Sequence, residues 1–266
     1  MSEEKKEIGS CILTRKDNYA IIAFNRPEKL NALSPDLFLS LQKAFFEVEN
    51  DDSVRALIFA GMGDNFSAGG DVEEDIKPLK DKSAIEFKTY FNPLCEMYAR
   101  IYTVEKPTLA AINGFALGAG MELALMCDIR IAADTMQMGE FFVRMGLVPE
   151  AGMCVLPKLV GMGKAKLMCY TGELVDAQEA LRIGLVEQVV PQSELMPAAE
   201  KLASRLGKGP ASIKIMKRAI NEFSTVPLEL TLNSSISYQF AASRTSDHAE
   251  AVKAFLEKRK PKYTGK

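Results

Sequence analysis

The chain has 266 residues, 47% of them apolar and 26% charged, with a net charge of −2, which is the profile of an ordinary globular protein. It is long enough for one large domain or two small ones, and its balanced charge excludes a strong field drawing it to nucleic acid or a membrane surface. The opening MSEEKKEIGS lacks the apolar stretch of a secretory signal, no apolar run reaches the ~18 residues of a membrane span, and the ending KPKYTGK is not a peroxisomal address. Five scattered cysteines, none in a C-x-x-C pair, fit a reducing cytoplasm, so a cytoplasmic protein is expected. The single histidine, His248, removes multi-histidine metal sites and argues against a Ser-His-Asp triad, so no metal is expected. It reads as an exposed residue near a helix start, with Asp247 as a possible cap. Acid–base chemistry would fall to carboxylates, lysine or tyrosine.

In chain order, SCILTRKDNYAIIAFN predicts two strands around the turn Lys16-Asp17-Asn18. SPDLFLSLQKAFFEVEND predicts a helix capped by Ser34, with Pro35 at its first position. VRALIFA reads as a short buried strand, and SAIEFKTYFNPLCEMYARIYTV as a long helix with a kink at Pro93. PTLAAINGFA reads as another strand, followed by a helix carrying Glu122 and the strand DIRIAAD. Beyond Pro149 the chain turns helical, through LPKLVGMGKAKLMCYTG, DAQEALRIG, ELMPAAEKLASRLGKG, ASIKIMKRAINEF and a last helix over 246–259. Alternating strands and helices followed by a helical tail predict an α/β fold with a helical appendage.

Two features suggest a site. In ALGAGMELALMCD, Glu122 is the one charge between Lys106 and Asp128. An unpaired buried carboxylate is costly, so Glu122 should be paired, surface-facing or held for chemistry. Glycine-rich turns also occur in NFSAGGDV, NGFALGAGMEL and VPEAGM. Their small residues allow backbone N–H groups to meet a ligand, although tight strand–helix packing explains any one of them alone. Neither the phosphate-loop motif nor a dinucleotide-binding G-x-G-x-x-G in context is present.

NRPEKLNALS, GDNFSAGGDV, KPTLAAINGFALGAGMELALMCDIRIAA and GLVPEAG, in this order and spacing, closely resemble the crotonase (enoyl-CoA hydratase/isomerase) superfamily, from about residue 8 to the FLEKRKPKY ending. The resemblance implies a spiral of ββα units over residues 1–200, a helical trimerisation region over 201–266, and acyl-CoA thioesters as substrates with no separate cofactor. It also implies an oxyanion hole of two backbone N–H groups, assigned by motif position to Ala68 and Ala119. Each such donor is typically worth ~3 kcal/mol to the developing enolate. Asp71 would cap its turn or lie along the CoA. Further substrate contacts implied are Lys29, Ala32, Gly69, Gly70, Val72, Gly118 and Phe142.

The catalytic groups implied are Glu122 and Glu150. Hydratases of the family use a second glutamate twenty residues after the first, where this chain has Phe142. Glu140, two residues away, reads as exposed or structural. Glu150 in VPEAG stands where several isomerases of the family place their acid/base residue. The expected activity is therefore conversion of 3-enoyl-CoA to 2-enoyl-CoA by a proton shuttle, with enoyl-CoA or dienoyl-CoA hydration as the alternative. A more distant alternative, RNA binding through Lys214, Lys217 and Arg218 on one helix surface, lacks aromatic interleaving, so no nucleic-acid partner is expected. Met62, Met121, Met126, Met136, Met138, Met145 and Met153 read as core filling or as an adaptable acyl pocket. The amphipathic C-terminal helices suggest a homotrimer or homohexamer, in which Phe255 and Lys258 of a neighbouring subunit would approach the CoA.

Overall fold

A computed structural model describes residues 4–266. Strands β1 (Glu4–Ile8), β2 (Cys11–Lys16) and β3 (Tyr19–Phe24) form an antiparallel meander, the last two joined by the two-residue turn foreseen at Asp17-Asn18. Helix α1 (Pro35–Glu49) follows, its Ser34 Oγ accepting the Leu37 N–H at 3.2 Å. After β4 (Leu57–Gly61) come a π-helical turn (Val72–Ile76) and α2 (Ala84–Thr103), which opens with a capping box between Ser83 and Glu86 and carries Pro93 inside it.

Next come β5 (Thr108–Ile112), β6 (Phe115–Leu117), α3 (Ala119–Met126), β7 (Ile129–Ala133), β8 (Gln137–Gly139) and a 3-10 turn (Phe141–Met145). Helices α4 (Gly152–Val160) and α5 (Met162–Thr171) lead to β9 (Val175–Asp176), α6 (Ala177–Arg182) and β10 (Gln188–Val190). The chain ends with α7 (Leu195–Gly207), α8 (Ser212–Phe223), α9 (Leu228–Ser243) and α10 (Ser246–Leu256).

One sheet has the order β1-β2-β3-β4-β5-β7-β10, parallel from β3 onward. Strands β3, β4, β5 and β7 are buried on both faces, with side chains alternating between two cores. Leu57 and Phe59 of β4 face the larger core under α1 and α2, while Ile58 and Ala60 face a smaller one closed by α7. α7 runs through residue 200, so the helices that leave the sheet begin with α8. A smaller sheet, β6-β8-β9, lies alongside. The segment expected as one strand, PTLAAINGFA, divides into β5 and β6 at Gly114, whose φ of 48° turns the chain out of the first sheet. A bridge between Ser67 and Ala116 ties β6 to the turn after β4. That bridge sets residues 66–71 against the start of α3.

Two expectations in the C-terminal region are corrected. Asp247 does not cap α10: Thr245 Oγ1 accepts the His248 N–H at 3.1 Å. Asp247 is instead buried, accepting N–H groups of Ala211, Thr264 and Gly265 at 2.7–2.9 Å, and so fastens the chain end. Lys217 does not share a surface with Lys214 and Arg218. It is buried, pairs with Asp128 at 2.9 Å and donates to the Lys106 carbonyl at 3.0 Å. Among the described residues no helix is long and apolar enough to cross a membrane.

Candidate active site

The turn after β4 can be read one N–H at a time. The Ala68 N–H donates to the Leu30 carbonyl at 2.9 Å, the Gly69 N–H to Ser67 Oγ at 3.2 Å, and the Asp71 N–H to the Leu33 carbonyl at 2.9 Å. Within residues 68–71, only the Gly70 N–H has no acceptor among the described residues. This corrects the assignment of Ala68 as an oxyanion donor, since its N–H is already used. The parallel bridge between Leu33 and Gly70 directs the N–H of Asp71 to one side of the segment and leaves that of Gly70 on the other. The second expected donor, Ala119, opens α3, where a first-turn N–H has no helical acceptor. Gly118 before it holds φ at 48°, a left-handed conformation that favours glycine, and its own N–H donates to Gly139. Gly69 lies close by: a Cβ there would come within 3.6 Å of the Ala119 nitrogen.

Glu122 lies one turn into α3 and is completely buried. Its Oε1 accepts the N–H groups of Glu150 and Gly152, each at 2.8 Å, and its Oε2 accepts that of Ala151 at 3.1 Å. These donors form the N-terminus of α4, an anion-binding arrangement satisfied here by a side chain of the same protein. Two arginines of the region do not reach Glu122: Arg130 pairs with Glu187, and Arg144 donates to the Gly172 carbonyl at 3.1 Å.

Two more carboxyl groups adjoin it. Glu150 hydrogen-bonds Glu122 side chain to side chain, and no N–H or hydroxyl reaches its buried Oε2. Two carboxylates in contact without another donor need a shared proton. Burial, then the hydrogen bond to Glu122 and its charge, push Glu150 up to about 9. Burial also raises Glu122, while Glu150 and the three backbone N–H groups pull it back. The three N–H donors favour the charge on Glu122 and the shared proton on Glu150. Glu140, expected to be exposed or structural, is completely buried, with neither carboxyl oxygen hydrogen-bonded. Burial, and secondarily the charge of Glu122, push it up to about 8. The burial pattern explains why composition alone missed this residue: a lone glutamate next to two phenylalanines gives no sign of its face.

Of the three carboxyl groups, Glu150 borders a cavity of about 110 Å3 whose walls also include Gly70, Ala119 and Phe142. Glu122 lies behind Glu150. A larger, mostly apolar cavity of about 520 Å3 between α1 and α2 shares Ala119, Leu94, Phe91 and Asp75 with it. The Asp75 carboxylate is engaged by the Tyr90 hydroxyl. Tyr98, buried on α2, donates to the Ala119 carbonyl at 3.2 Å and so braces the first turn of α3.

A family model described as enoyl-CoA hydratase/isomerase matches residues 14–266. The chain belongs to the enoyl-CoA hydratase/isomerase family. It is 38% identical to the short-chain-enoyl-CoA hydratase of Clostridium acetobutylicum, over 96% of this chain and 97% of that protein. It is 34% identical to the 1,2-epoxyphenylacetyl-CoA isomerase of Escherichia coli, over 92% of this chain and 94% of that one. The crystal structure of a putative enoyl-CoA hydratase from Streptomyces coelicolor superposes with a TM-score of 0.93 at 31% identity, covering 100% of this chain and 98% of that one. The fold is thus the α/β crotonase type with a helical C-terminal region.

The remaining expected contacts fall in two groups within this enoyl-CoA hydratase/isomerase fold. Gly69, Gly70, Val72, Gly118 and Phe142 line the smaller cavity with Ala68, Ala119 and Glu150. Lys29 is exposed, and Ala32 is buried with its carbonyl accepting from Arg26 at 3.0 Å. Asp71 caps its turn, accepting the Glu73 and Glu74 N–H groups at 3.1 Å each, and pairs with Arg26 at 3.3 Å. Phe255 and Lys258, at and beyond the end of α10, are exposed and border neither cavity.

Proposed function

We propose that this protein is an enoyl-CoA isomerase that moves the double bond of a 3-enoyl-CoA into the 2-position. The observation carrying this reading is that one acid/base carboxyl, Glu150, borders the cavity beside two unused N–H groups. Phe142 stands where a hydratase of the family has its second glutamate. A thioester oxygen between Gly70 and Ala119 would receive two donors as negative charge develops on it.

The proton movement balances within the pair. Glu150 takes the α-proton of the substrate while the proton it shares passes to Glu122, leaving both carboxyls neutral and the dienolate charged. The reverse transfer delivers a proton to the γ-carbon and restores the Glu122 anion. The N-terminus of α4 stabilises that anion before and after the proton transfers. An apolar ring at Phe142 keeps a second water-activating group out of the pocket.

Hydration is the second reading, favoured by the hydratase names of relatives such as that from Clostridium acetobutylicum. Here Glu122 would polarise water and Glu150 protonate the α-carbon. Supplying 3-hexenoyl-CoA and crotonyl-CoA separately distinguishes the two. Rapid turnover of 3-hexenoyl-CoA supports isomerisation, whereas rapid hydration of crotonyl-CoA with 3-hexenoyl-CoA inert overturns it. Assembly as a trimer or a pair of trimers belongs to the same proposal. α9 buries no residue within the subunit and exposes Leu228, Leu232, Ile236 and Phe240, surface that a symmetric partner would cover.

A further inference from the structure

We infer that Glu140 is a positioning residue for proton transfer: a third buried carboxyl, set against Glu122, that keeps the shared proton on the Glu122–Glu150 pair. The geometry turns on Gly152. A Cβ built there would lie 2.5 Å from Glu140 Oε1 and 3.0 Å from Glu122 Oε1, so both oxygens converge on the bare Cα of that glycine. Glu140 is fully enclosed, and its two oxygens have no hydrogen-bond donor. The ionisable groups facing it are Glu122 on α3, Glu150 before α4, Tyr98 on α2 and Cys169 on α5. None is a cation, and the Tyr98 hydroxyl is turned to the Ala119 carbonyl.

Three carboxyl groups in so small a volume cannot all ionise. Glu122, with three N–H donors, holds the first negative charge. As pH rises, the second charge is contested between Glu140 and Glu150, and each ionisation opposes the other. A charge on Glu140 opposes ionisation of Glu150 and so holds the proton there, since neither Glu140 oxygen has a donor to neutralise it. A neutral residue at 140 gives Glu150 no such protection.

This inference rests on the acid–base reading of Glu122 and Glu150, so its primary test does not depend on which reaction is catalysed. Protein labelled with carboxyl-13C glutamate is titrated by NMR, with the Glu150 signal identified by its loss in Glu150→Gln. In Glu140→Gln the Glu150 midpoint should fall. Should the buried amide prevent folding, Glu140→Met, which removes both unpaired oxygens, carries the same measurement. An unchanged Glu150 midpoint overturns the inference while leaving the isomerase reading intact. The alkaline limb of kcat should move down by the same amount for whichever acyl-CoA is turned over, with KM unchanged. A shifted midpoint in a protein inert towards 3-hexenoyl-CoA upholds the inference and removes the isomerase reading.

Discussion

Replacing Glu122 by glutamine tests the centre of the site at the level of single hydrogen bonds. The amide oxygen can take the Oε1 position and keep the N–H groups of Glu150 and Gly152, both now at 2.8 Å. The amide NH2 then meets the Ala151 N–H, which donates at 3.1 Å to Oε2 in the native protein, and two donors face each other. Leaving a buried donor unsatisfied costs about 1–3 kcal/mol. In a chain of this size that corresponds to a fall in Tm of roughly 2–10 °C. The chemistry should suffer more. Of the causes that hold Glu150 at about 9, the hydrogen bond and the charge of Glu122 disappear while burial remains, so Glu150 drops and the shared proton is lost. Loss of a general acid–base partner is expected to lower kcat by ~100- to 10,000-fold with little change in KM. Steady-state assay of enoyl-CoA turnover together with a thermal melt reads both effects. A Glu122→Gln protein keeping more than a tenth of the native kcat at an unchanged Tm would refute the account of this residue.

Stability should fall as pH rises from about 5 to 8, because Glu140 and Glu150, held at about 8 and 9 in the folded protein, ionise near 4.5 once unfolded. The folded state then binds more protons than the unfolded one, at a cost of about 1.4 kcal/mol per pH unit for each proton. Denaturant titrations should show a shallower slope for Glu140→Met, and equal slopes would contradict the burial of that carboxyl. Gly152→Ala should lower kcat by ~100-fold through displacement of the carboxyls its methyl group meets, and a crystal structure of the variant with Glu122 and Glu140 unmoved would exclude this cause. Asp71→Ala removes the acceptor for two N–H groups and the partner of Arg26, and should cost about 1–2 kcal/mol in urea unfolding. Light scattering should give a multiple of the monomer mass that Phe240→Glu reduces, whereas a native monomer at micromolar concentration would contradict assembly through α9.

The parts of this molecule legible in its sequence are those written in local chemistry. Ser34 and Pro35 announce α1, and the hydrophobic runs of β3, β4, β5 and β7 announce a sheet buried on both faces. Strands β1, β8, β9 and β10 escaped notice because they are short or polar, and exist through pairing with distant partners. The site divides in the same way. Glu122 stood out as a lone charge in an apolar run, and Glu150 through its motif. The free N–H at Gly70 was missed in favour of Ala68 because it follows from a bridge to Leu33, a contact between segments 37 residues apart. Glu140's burial was not legible because it comes from α3, α4 and α5 closing around it, and no neighbour in sequence records that.

The three N–H groups bound by Glu122 come from the main chain of residues 150–152, so at position 150 any residue except proline can supply its share. The anchor that positions α4 is thus indifferent to which side chain residue 150 carries. Position 150 resembles a tool holder: its mount is fixed by Glu122, and the working end is interchangeable. A library at residue 150 should therefore yield folded proteins with altered chemistry far more often than one at residue 122, where the mount itself is lost.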